Sequence, residues 1–378
     1  MKKVLIITHS ISGGGGAEKI LNLMLKFINK EKYEIDVLEI KNANKTPPLY
    51  KGINYLGYIR IRNNKLIDKI KDKIYLFLLV FFPNIVYKKF IKKKYDVKIS
   101  FNYLIPSFLI NALNDDSKKI CWIHSSIEDL NYSQYKNYLK KIEYKILNKF
   151  QKKVFEKANK IIPISKTTKD SIEKLYPFTI PKLKIIYNGF DFKEYKINES
   201  ITKENYIVVV GRLEKRKNFT LAIDVLNELV KKRKINIKLK ILGEGELREK
   251  LENKVKKLRL EKEIQFMGYV QDPKSIVAQA KLLLVTSFVE GFPTVIVESL
   301  ALKTPVVSTP VAGTEELLVF NSLKCGEITN YTVKDIADKI ENLLKNRELY
   351  HIYQELGYKN VKKFTIDSQL SELEKIID

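Results

Sequence analysis

The sequence predicts an α/β protein built from parallel sheets and long enough for two domains. Three stretches lead to this prediction, because each joins an apolar strand to a glycine-containing loop and then to a helix. They begin at Val4, Tyr206 and Leu282. The run Leu282–Val285 is apolar throughout, which is typical of a strand buried on both faces of a parallel sheet. A chain of 378 residues provides ample core for two such domains.

The composition is that of an ordinary globular protein, but the charge is not. Hydrophobic residues make up 45% of the chain and charged residues 30%, which argues against a disordered chain. The formal net charge is +25. Residues 1–200 hold 39 Lys and Arg against 19 Asp and Glu, a net of +20, whereas residues 201–378 hold 30 against 25, a net of +5. A basic first half favours an anionic membrane, an anionic substrate or nucleic acid as partner. A solvated Lys-rich surface without such a role is the alternative.

Cysteine usage and hydropathy favour the cytosol. Cys121 and Cys325 form neither a disulfide framework nor a zinc-ligand pattern, so a reducing compartment fits best. The apolar stretch Val4–Ile7 is too short for the core of a signal peptide and is predicted to be a first strand. The sequence has no run of 18 or more apolar residues, and we therefore expect no membrane-spanning segment.

Two carboxylates accompany the loop that follows the strand Leu282–Val285. Glu290 lies in the loop, and Glu298 lies in the helix that Pro293 and Thr294 are expected to open. Loops at the carboxyl ends of parallel strands are where open α/β sheets bind ligands, and the N–H groups of a helix start favour an anion. Carboxylates beside an anion site suit neutral hydroxyl groups, which sugars and riboses offer.

A glycine-rich loop follows the first strand. Residues 13–16 are all glycine and precede a helix whose apolar residues recur at helical spacing from Leu21 to Ile28. A strand, a glycine loop and a helix start can together hold a phosphate. The loop lacks the Lys-Ser/Thr pair of a P-loop, and Glu18 stands where the dinucleotide fingerprint needs a glycine. A flexible tight turn is the alternative.

A basic loop follows the strand Tyr206–Val210. It contains Arg212 and Lys217, and apolar residues at helical spacing come after it. A departing nucleoside diphosphate gathers negative charge, which Arg and Lys at the end of a strand stabilise. A run of exposed charges with no such role is the alternative.

Residues 60–98 combine basic side chains with a run of large apolar and aromatic side chains. They hold 12 Lys and Arg against three Asp, around the apolar run of residues 74–82. This run is too short to span a bilayer, but its composition is typical of a helix that lies in a membrane interface. A core helix with a basic exposed end is an equal alternative.

The order of these motifs resembles that of glycosyltransferase family 4, a family of retaining enzymes that use nucleotide-sugars. Glu290 and Glu298, around Gly-Phe-Pro-Thr, resemble the E-x7-E signature of the family, and nearly the whole chain follows its motif order. The other matching segments are Gly15-Gly16-Ala17-Glu18, Trp122-Ile123-His124-Ser125 within a strand expected over residues 120–126, Asn188-Gly189-Phe190-Asp191, Gly211 to Asn218, Phe266 to Val270, and Pro310 to Glu316 with Ala312 in place of a glycine.

The resemblance implies the GT-B fold, in which two doubly wound Rossmann-like domains face a central cleft. It implies an acceptor-binding domain over residues 1–195 and a nucleotide-sugar-binding domain over residues 196–378, with a polar linker at residues 195–205 and a last helix at about 361–378 that packs back on the first domain. The nucleotide-sugar is a substrate, so no cofactor is implied. The sequence contains no Asp-x-Asp, and we expect Arg212, Lys217 and a helix N-terminus to hold the diphosphate without a metal.

The resemblance also assigns roles to individual residues. His124 is expected to face the donor sugar, Glu290 to contact only hydroxyls of that sugar, and Glu298 to contact the ribose. The implied catalytic residues are His124, Glu290, Arg212 and Lys217. The implied donor-binding residues are Gly15, Gly16, Arg212, Lys217, Gly268, Tyr269, Val270, Glu290, Gly291, Phe292, Pro293, Thr294 and Glu298.

The implied reaction is transfer of a hexose or N-acetylhexosamine from a UDP-sugar to a glycan or lipid-linked glycan, in the synthesis of a bacterial lipopolysaccharide or capsule. The anomeric configuration of the sugar would be retained because the acceptor attacks from the same face as the leaving phosphate, which acts as the base. We expect a cytoplasmic enzyme on the inner face of the cell membrane, attached through residues 60–98, that binds no nucleic acid. A nucleotide-sugar epimerase of the same fold and a non-enzymatic basic nucleic-acid-binding protein are the alternatives, and the latter leaves the motifs unexplained.

Overall fold

The described chain forms two structural units, each built on a six-stranded parallel sheet. The first unit comprises Met1–Phe190 and Phe364–Asp378, and the second comprises Asp191–Lys363. The computed structural model describes residues 1–43, 46–47, 50–61, 66–125, 138–195 and 202–378, and of residues 61, 66–72 and 138–144 it describes the backbone only. Parts of the expected linker (196–201), of the basic segment (62–65) and of the strand expected to reach Ser126 lie outside these ranges.

Strands and helices alternate along most of the described chain, as parallel sheets with helical crossovers require. The strands are β1 (Lys2–Thr8), β2 (Tyr33–Asn42), β3 (Ile53–Ile61), β4 (Val97–Phe101), β5 (Lys118–Ile123), β6 (Lys160–Pro163), β7 (Tyr206–Val210), β8 (Lys238–Leu242), β9 (Ile264–Gly268), β10 (Leu282–Val285), β11 (Val306–Ser308), β12 (Val319–Phe320), β13 (Leu323–Lys324) and β14 (Glu327–Ile328). The helices are α1 (Gly16–Phe27), α2 (Leu66–Phe81), α3 (Pro83–Phe90), α4 (Ile105–Ile110), α5 (Tyr138–Lys157), α6 (Lys166–Leu175), α7 (Phe219–Asn227), α8 (Arg248–Leu258), α9 (Lys274–Gln279), α10 (Thr294–Ala301), α11 (Thr314–Leu318), α12 (Val333–Lys345), α13 (Arg347–Val361) and α14 (Ile366–Ile377).

The sheet of the first unit has the strand order β3-β2-β1-β4-β5-β6, and every neighbouring pair is parallel. This is the order of a doubly wound fold, whose direction reverses between β1 and β4. Residues 4–7 of β1 are fully buried, as their unbroken apolar run predicts. The glycine loop that follows β1 therefore lies at the switch point of this sheet, where such folds bind ligands.

The sheet of the second unit repeats this plan. Its order is β14-β11-β10-β7-β8-β9, again with parallel neighbours. The direction reverses between β7 and β10, so the basic loop after β7 and the Glu290 loop after β10 meet at the switch point. The prediction of two doubly wound Rossmann-like sheets is confirmed.

The apolar run of residues 74–82 lies in α2 and the turn after it. Leu79 and Val80 are buried in the core of the first unit. The remaining large side chains of this run and of α3 include five that are 45–57% exposed, and we call these the aromatic patch: Ile74, Phe77, Phe81, Phe82 and Ile85. The rings of Phe77 and Phe81 lie 4.8 Å apart. One helix thus contributes to the core and also exposes an apolar surface, and the membrane-interface interpretation stays a prediction.

The C-terminal segment belongs to the first unit. Backbone hydrogen bonds join Phe190 N to Phe364 O (2.9 Å) and Ile366 N to Phe190 O (3.0 Å), and α14 packs against α1. The sequence analysis expects one last helix at about residues 361–378, but the structure divides this region. Residues 362–365 separate α13 from α14, because Thr365 forms a β-bridge with Phe190 and caps α14 through its side chain.

Among the described residues, no helix is both long and apolar enough to cross a membrane.

Candidate active site

The carboxyl ends of β7, β8 and β9 approach one another closely through glycine. Gly211 N donates to Leu242 O (2.9 Å), and Gly243 N donates to Gly268 O (2.7 Å). Gly243 has a φ of +143°, and a Cβ on it would collide with the carbonyl oxygen of Gly211. Only glycine fits there, and the backbone of the basic loop is consequently held against the turn after β8.

An ion pair joins the basic loop to the Glu290 loop. The ammonium nitrogen of Lys217 lies 2.5 Å from Oε1 of Glu290, and Ser287 Oγ donates to the same oxygen at 2.8 Å. The other oxygen, Oε2, lies 3.5 Å from Nη1 of Arg216. The side chains of Lys217 and Glu290 are only 15% and 10% exposed, so each charge depends on its partner for compensation.

Backbone contacts lock the same two loops together. Thr286 Oγ1 lies 3.0 Å from the carbonyl oxygens of both Lys217 and Asn218. Phe288 N donates to Arg216 O at 2.8 Å. The residues just after β10 are therefore fixed directly against the end of the basic loop, which gives the Lys217–Glu290 pair a defined geometry.

Arg212 differs from Lys217 in its surroundings. Its side chain is 52% exposed, and its Nη1 lies 3.8 Å from Glu214 Oε2. The Arg212 side chain is therefore accessible to solvent at the start of the loop, whereas the Lys217 side chain is mostly buried. The two cations predicted to share one role lie on the same loop with different access to solvent.

The start of α10 lies directly after Glu290. Gly291, Phe292 and Pro293 are buried, Pro293 occupies the N-cap position, and Thr294 is the first helical residue. A Cβ on Gly313 would lie 2.8 Å from the ring of Phe292, so the turn before α11 packs tightly against this helix start. Backbone N–H groups at the start of α10 consequently point out of the same edge of the sheet as Glu290.

Glu298 lies further along α10 in different surroundings. It is half-buried, and its charge acts on Tyr195: burial first, and then Glu298, raise the pKa of the Tyr195 phenol far above its usual value. Lys274 Nζ lies 5.3 Å from the centre of the same ring. Glu290 thus pairs with Lys217, whereas the charge of Glu298 acts on Tyr195.

The remaining predicted donor residues of the second unit lie at the end of β9. Gly268 closes that strand with a φ of +69°. Tyr269 is 70% exposed, and Val270 is half-buried. These residues and Glu290 follow strands of one sheet, in the order β10-β7-β8-β9, so they occupy one edge of it.

In the first unit, the predicted residues follow β1 and β5. Gly15 is the N-cap of α1, and Gly16 is its first residue. The carboxylate of Glu18 folds back over the loop, since a Cβ on Gly13 would lie 3.0 Å from Glu18 Oε1 and one on Gly15 would collide with Oε2. An acid at the third helical position commonly returns to the helix start in this way. The Glu18 carboxylate therefore occupies space near the loop where the sequence predicts an anion.

His124 lies at the end of β5 in an aromatic setting. Its ring is 3.8 Å from that of Phe101 and 5.4 Å from that of Trp122, between centroids. Burial lowers the pKa of His124 to about 3, so the imidazole is neutral. Both ring nitrogens are buried and have no hydrogen-bond partner within the described ranges. Buried polar atoms of this kind are uncommon in folded proteins, and the role of His124 at the donor sugar stays a prediction.

Two residues that the sequence does not predict as site residues, Arg216 and Ser287, both contact Glu290. Arg216 lies between two lysines in the same basic run, and Ser287 lies two residues after β10, on the segment that leads to Glu290. Neither residue type is distinctive in those places. Only the contact between the loops after β7 and β10 singles them out.

Comparison with known proteins identifies the class and then the family. The two Rossmann-like units, with ligand loops at both switch points, are those of GT-B glycosyltransferases. Two family profiles match consecutive parts of the chain: Glycosyltransferase Family 4 matches residues 14–194, and Glycosyl transferases group 1 matches residues 191–360. The chain belongs to glycosyltransferase family 4 and is a glycosyltransferase.

Two relatives and one solved structure illustrate the similarity. The chain is 27% identical over 306 residues, covering 79% of this chain and 77% of the relative, to the GalNAc-alpha-(1->4)-GalNAc-alpha-(1->3)-diNAcBac-PP-undecaprenol alpha-1,4-N-acetyl-D-galactosaminyltransferase of Campylobacter jejuni. It is 23% identical over 369 residues, 95% of each chain, to the amylovoran biosynthesis glycosyltransferase AmsD of Erwinia amylovora. The crystal structure of Anabaena HepE in complex with UDP and glucose superposes with a TM-score of 0.71 at 18% identity, covering 99% of each chain.

Proposed function

We propose that this glycosyltransferase transfers a hexose or N-acetylhexosamine from a UDP-sugar, with retention and without a metal, to a glycan or lipid-linked glycan of a bacterial surface polysaccharide. The observation that carries the proposal is the Lys217–Glu290 pair at the switch point of the second sheet. It brings together a cation for the leaving diphosphate and a carboxylate for sugar hydroxyls, beside the start of α10.

The charges around this pair support a diphosphate-binding site. Arg212 is half exposed at the mouth of the loop, and the start of α10 offers backbone N–H groups. Together they can bind the charge that develops on the leaving phosphate without a metal ion. Glu290 Oε1 already accepts bonds from Lys217 and Ser287, which favours an orienting role over covalent attack. We therefore assign it to donor hydroxyls, with Glu298 on the ribose and the backbone of residues 291–294 on the sugar and phosphate.

The first unit would contribute residues that contact the donor sugar and its phosphate, and it would bind the acceptor. A neutral His124, with buried nitrogens that have no partner among the described residues, is suited to exchange hydrogen bonds with sugar hydroxyls. Gly15 and Gly16 begin α1 and would face the donor phosphate once Glu18 moves aside. Gly268, Tyr269 and Val270 of the second unit would meet the nucleotide base.

The nucleotide and acceptor classes are supported by similar proteins. The similar Anabaena structure contains UDP, and the Campylobacter relative is named for an undecaprenol-linked glycan. A lipid-linked acceptor agrees with the aromatic patch and the adjacent lysines of α3, which together suit an anionic membrane surface. We therefore place the enzyme in the cytoplasm, peripheral on the inner face of the cell membrane.

Turnover of UDP-sugars by single-site variants tests the proposal. Arg212→Ala and Lys217→Ala should each lower kcat/KM by roughly 30-fold to 1,000-fold, corresponding to about 2–4 kcal/mol of transition-state stabilisation. Lys215→Ala is the matched control, because it removes an exposed charge from the same loop and should change kcat/KM less than about threefold. Near-wild-type kcat/KM in both test variants, or isomerisation of the donor without any acceptor, would overturn the proposal.

A further inference from the structure

Glu39 is a charged residue that is completely buried. It lies on β2, opposite Thr8 of β1, and its relative exposure is 0%. Six neutral donors surround its carboxylate. Oε1 accepts from Ser10 Oγ (2.9 Å), Ile11 N (2.9 Å), Ser12 N (3.1 Å) and Ser12 Oγ (2.6 Å), while Oε2 accepts from Asn42 Nδ2 (2.9 Å) and Tyr55 OH (2.7 Å).

The donors divide the carboxylate into two halves with different partners. All four bonds to Oε1 come from residues 10–12, which lead into the glycine loop. Both bonds to Oε2 come from the sheet side, Asn42 on β2 and Tyr55 on β3. Glu39 thus ties the entrance of the glycine loop to two strands.

Each serine hydroxyl joins Glu39 to a different backbone N–H group. Ser10 Oγ donates to Glu39 and accepts from Gly13 N at 3.1 Å, which is the first N–H of the glycine loop. Ser12 Oγ also donates to Glu39 but accepts from Ala43 N at 2.8 Å, on the segment after β2. The series of hydrogen bonds from Glu39 through Ser10 therefore reaches the glycine loop, whereas the series through Ser12 leads away from it.

The carboxylate is ionised in this setting. Burial alone would raise the pKa of Glu39, but the hydrogen bonds from Ser12, Ile11 and Tyr55 outweigh that effect, and the pKa lies below its usual value. An ionised acceptor binds its donors more strongly than a neutral one. The hydrogen bonds to Glu39 are therefore charge-assisted at neutral pH.

We propose that Glu39 is a positioning residue of the transferase: through Ser10 it fixes the backbone of the Gly13–Gly16 loop so that the N–H groups of this loop face the anionic part of the donor. This inference rests on the proposed function, since it assumes that the glycine loop contacts the donor phosphate. Glu39 itself touches no substrate on this account. Its effect on the reaction passes through Ser10 and Gly13.

The two serines give a matched test with UDP-sugar turnover as readout. Ser10→Ala and Ser12→Ala each remove one hydroxyl bond to the same carboxylate oxygen, so we expect similar losses of Tm. Ser10→Ala should lower kcat/KM per folded enzyme at least about tenfold, whereas Ser12→Ala should lower it less than about threefold. Ser10→Thr, which retains a hydroxyl, should recover most of the activity. Glu39→Gln should resemble Ser10→Ala in kcat/KM.

Equal kcat/KM in Ser10→Ala and Ser12→Ala, in an otherwise active enzyme, would overturn this inference alone. Failure of Ser10→Thr to recover activity would also count against it. The serine comparison decides the matter even if Glu39→Gln does not fold. A wild-type protein that turns over no UDP-sugar in the presence of candidate acceptors would overturn the proposed function and this inference together.

Discussion

The ammonium group of Lys217 lies 2.5 Å from Oε1 of Glu290, although the two residues are 73 positions apart in the chain. The carboxylate expected to bind sugar thus neutralises the cation expected to bind diphosphate. On the proposed function, Lys217 interacts with two anionic groups when the diphosphate binds. The two assigned functions are therefore coupled through one contact.

The first prediction concerns the charge of Glu290. The sequence alone predicts that Glu290→Gln leaves affinity for bare UDP nearly unchanged, but the ion pair alters this expectation. Removing the carboxylate frees Lys217 for the phosphate, so UDP should bind about fivefold more tightly, on the order of 1 kcal/mol. Turnover of the UDP-sugar should nevertheless fall, because the hydroxyls of the donor sugar lose the carboxylate that accepts their hydrogen bonds.

Calorimetry with UDP and steady-state kinetics test this prediction, and a double-mutant cycle with Lys217→Met is its control. In the Lys217→Met background, Glu290→Gln should no longer tighten UDP binding. If the two substitutions act additively on UDP affinity, the contact between Lys217 and Glu290 has no part in UDP binding.

The second prediction separates Glu298 from Glu290. The charge of Glu298 acts on Tyr195, and on the proposed function Glu298 accepts bonds from ribose hydroxyls. Glu298→Gln retains the shape of the side chain but removes its charge, so UDP should bind more weakly by about 1.5–3 kcal/mol. The same calorimetry measures it, with an unchanged Tm as evidence of intact packing. Tighter or unchanged UDP binding in this variant would contradict the ribose assignment.

The third prediction concerns the aromatic patch. The sequence predicts Lys88, Lys89, Lys92, Lys93 and Lys94 as membrane contacts, but Lys93 Nζ lies 3.0 Å from Glu34 and 3.4 Å from Asp36. We therefore expect the other four to carry the effect, at about 1 kcal/mol each near an anionic surface. Changing those four lysines together to Gln should abolish sedimentation with anionic liposomes. Among the five single Lys→Gln substitutions, Lys93→Gln should reduce sedimentation least.

A pair of isoleucines provides the apolar control. Ile85 of the aromatic patch is 57% exposed, and Ile180, in the short helical turn after α6, is 54% exposed. Ile85→Asn should weaken liposome binding, and Ile180→Asn should not. Equal sedimentation with neutral and anionic vesicles, or equal effects of the two substitutions, would favour a patch with no membrane role.

The fourth prediction compares two glycines with positive φ. Gly243 has a φ of +143° and its Cβ would collide with Gly211 O, whereas Gly57 has a φ of +101° and nothing lies within 4 Å of its Cβ. Gly57→Ala should cost about 1 kcal/mol of backbone strain, and Gly243→Ala should cost roughly 3 kcal/mol or more because a clash is added. Urea unfolding followed by circular dichroism measures both. Equal costs would mean that the strand ends after β7 and β8 can separate at little expense.

The fifth prediction is a pH dependence. The folded pKa of Glu39 lies below its usual value of 4.5, so the unfolded state binds more protons on acidification. The stabilisation from Glu39 is therefore present above about pH 4.5 and is lost as the pH falls through the folded pKa. Relative to Glu39→Gln, wild type should be more stable by about 1–3 kcal/mol at neutral pH, and this difference should shrink in acid.

The fluorescence of Trp122 follows this difference in the unit that contains Glu39, since it is the only tryptophan in the chain. A difference that stays constant from pH 7 to about pH 3 would show that the charge of Glu39 does not stabilise the fold.

Much of the fold could be predicted because its signals are local. The strands around Val4 and Leu282 and the helices that follow them have unbroken apolar runs or helical spacing, and the structure has each of them. The sequence does not predict helix α13, because Gly357 interrupts it and its residues are mostly polar. A Cβ on Gly357 would lie 2.6 Å from Leu300, so this glycine is there to let α13 pack against α10. This packing contact involves a residue of another helix, so the sequence of α13 alone does not reveal it.

The sequence by itself determined the α/β class, the family and the loops that carry Arg212, Glu290 and His124, because motifs and periodicity are properties of neighbouring residues. Only the tertiary structure decided which charges meet. Lys217 pairs with Glu290 because β7 and β10 are adjacent at the switch point of one sheet, and Glu39 binds the glycine loop because β2 lies beside β1. Hydrogen bonds and ion pairs depend on distances of about 3 Å, and strand order, which no local pattern encodes, sets those distances.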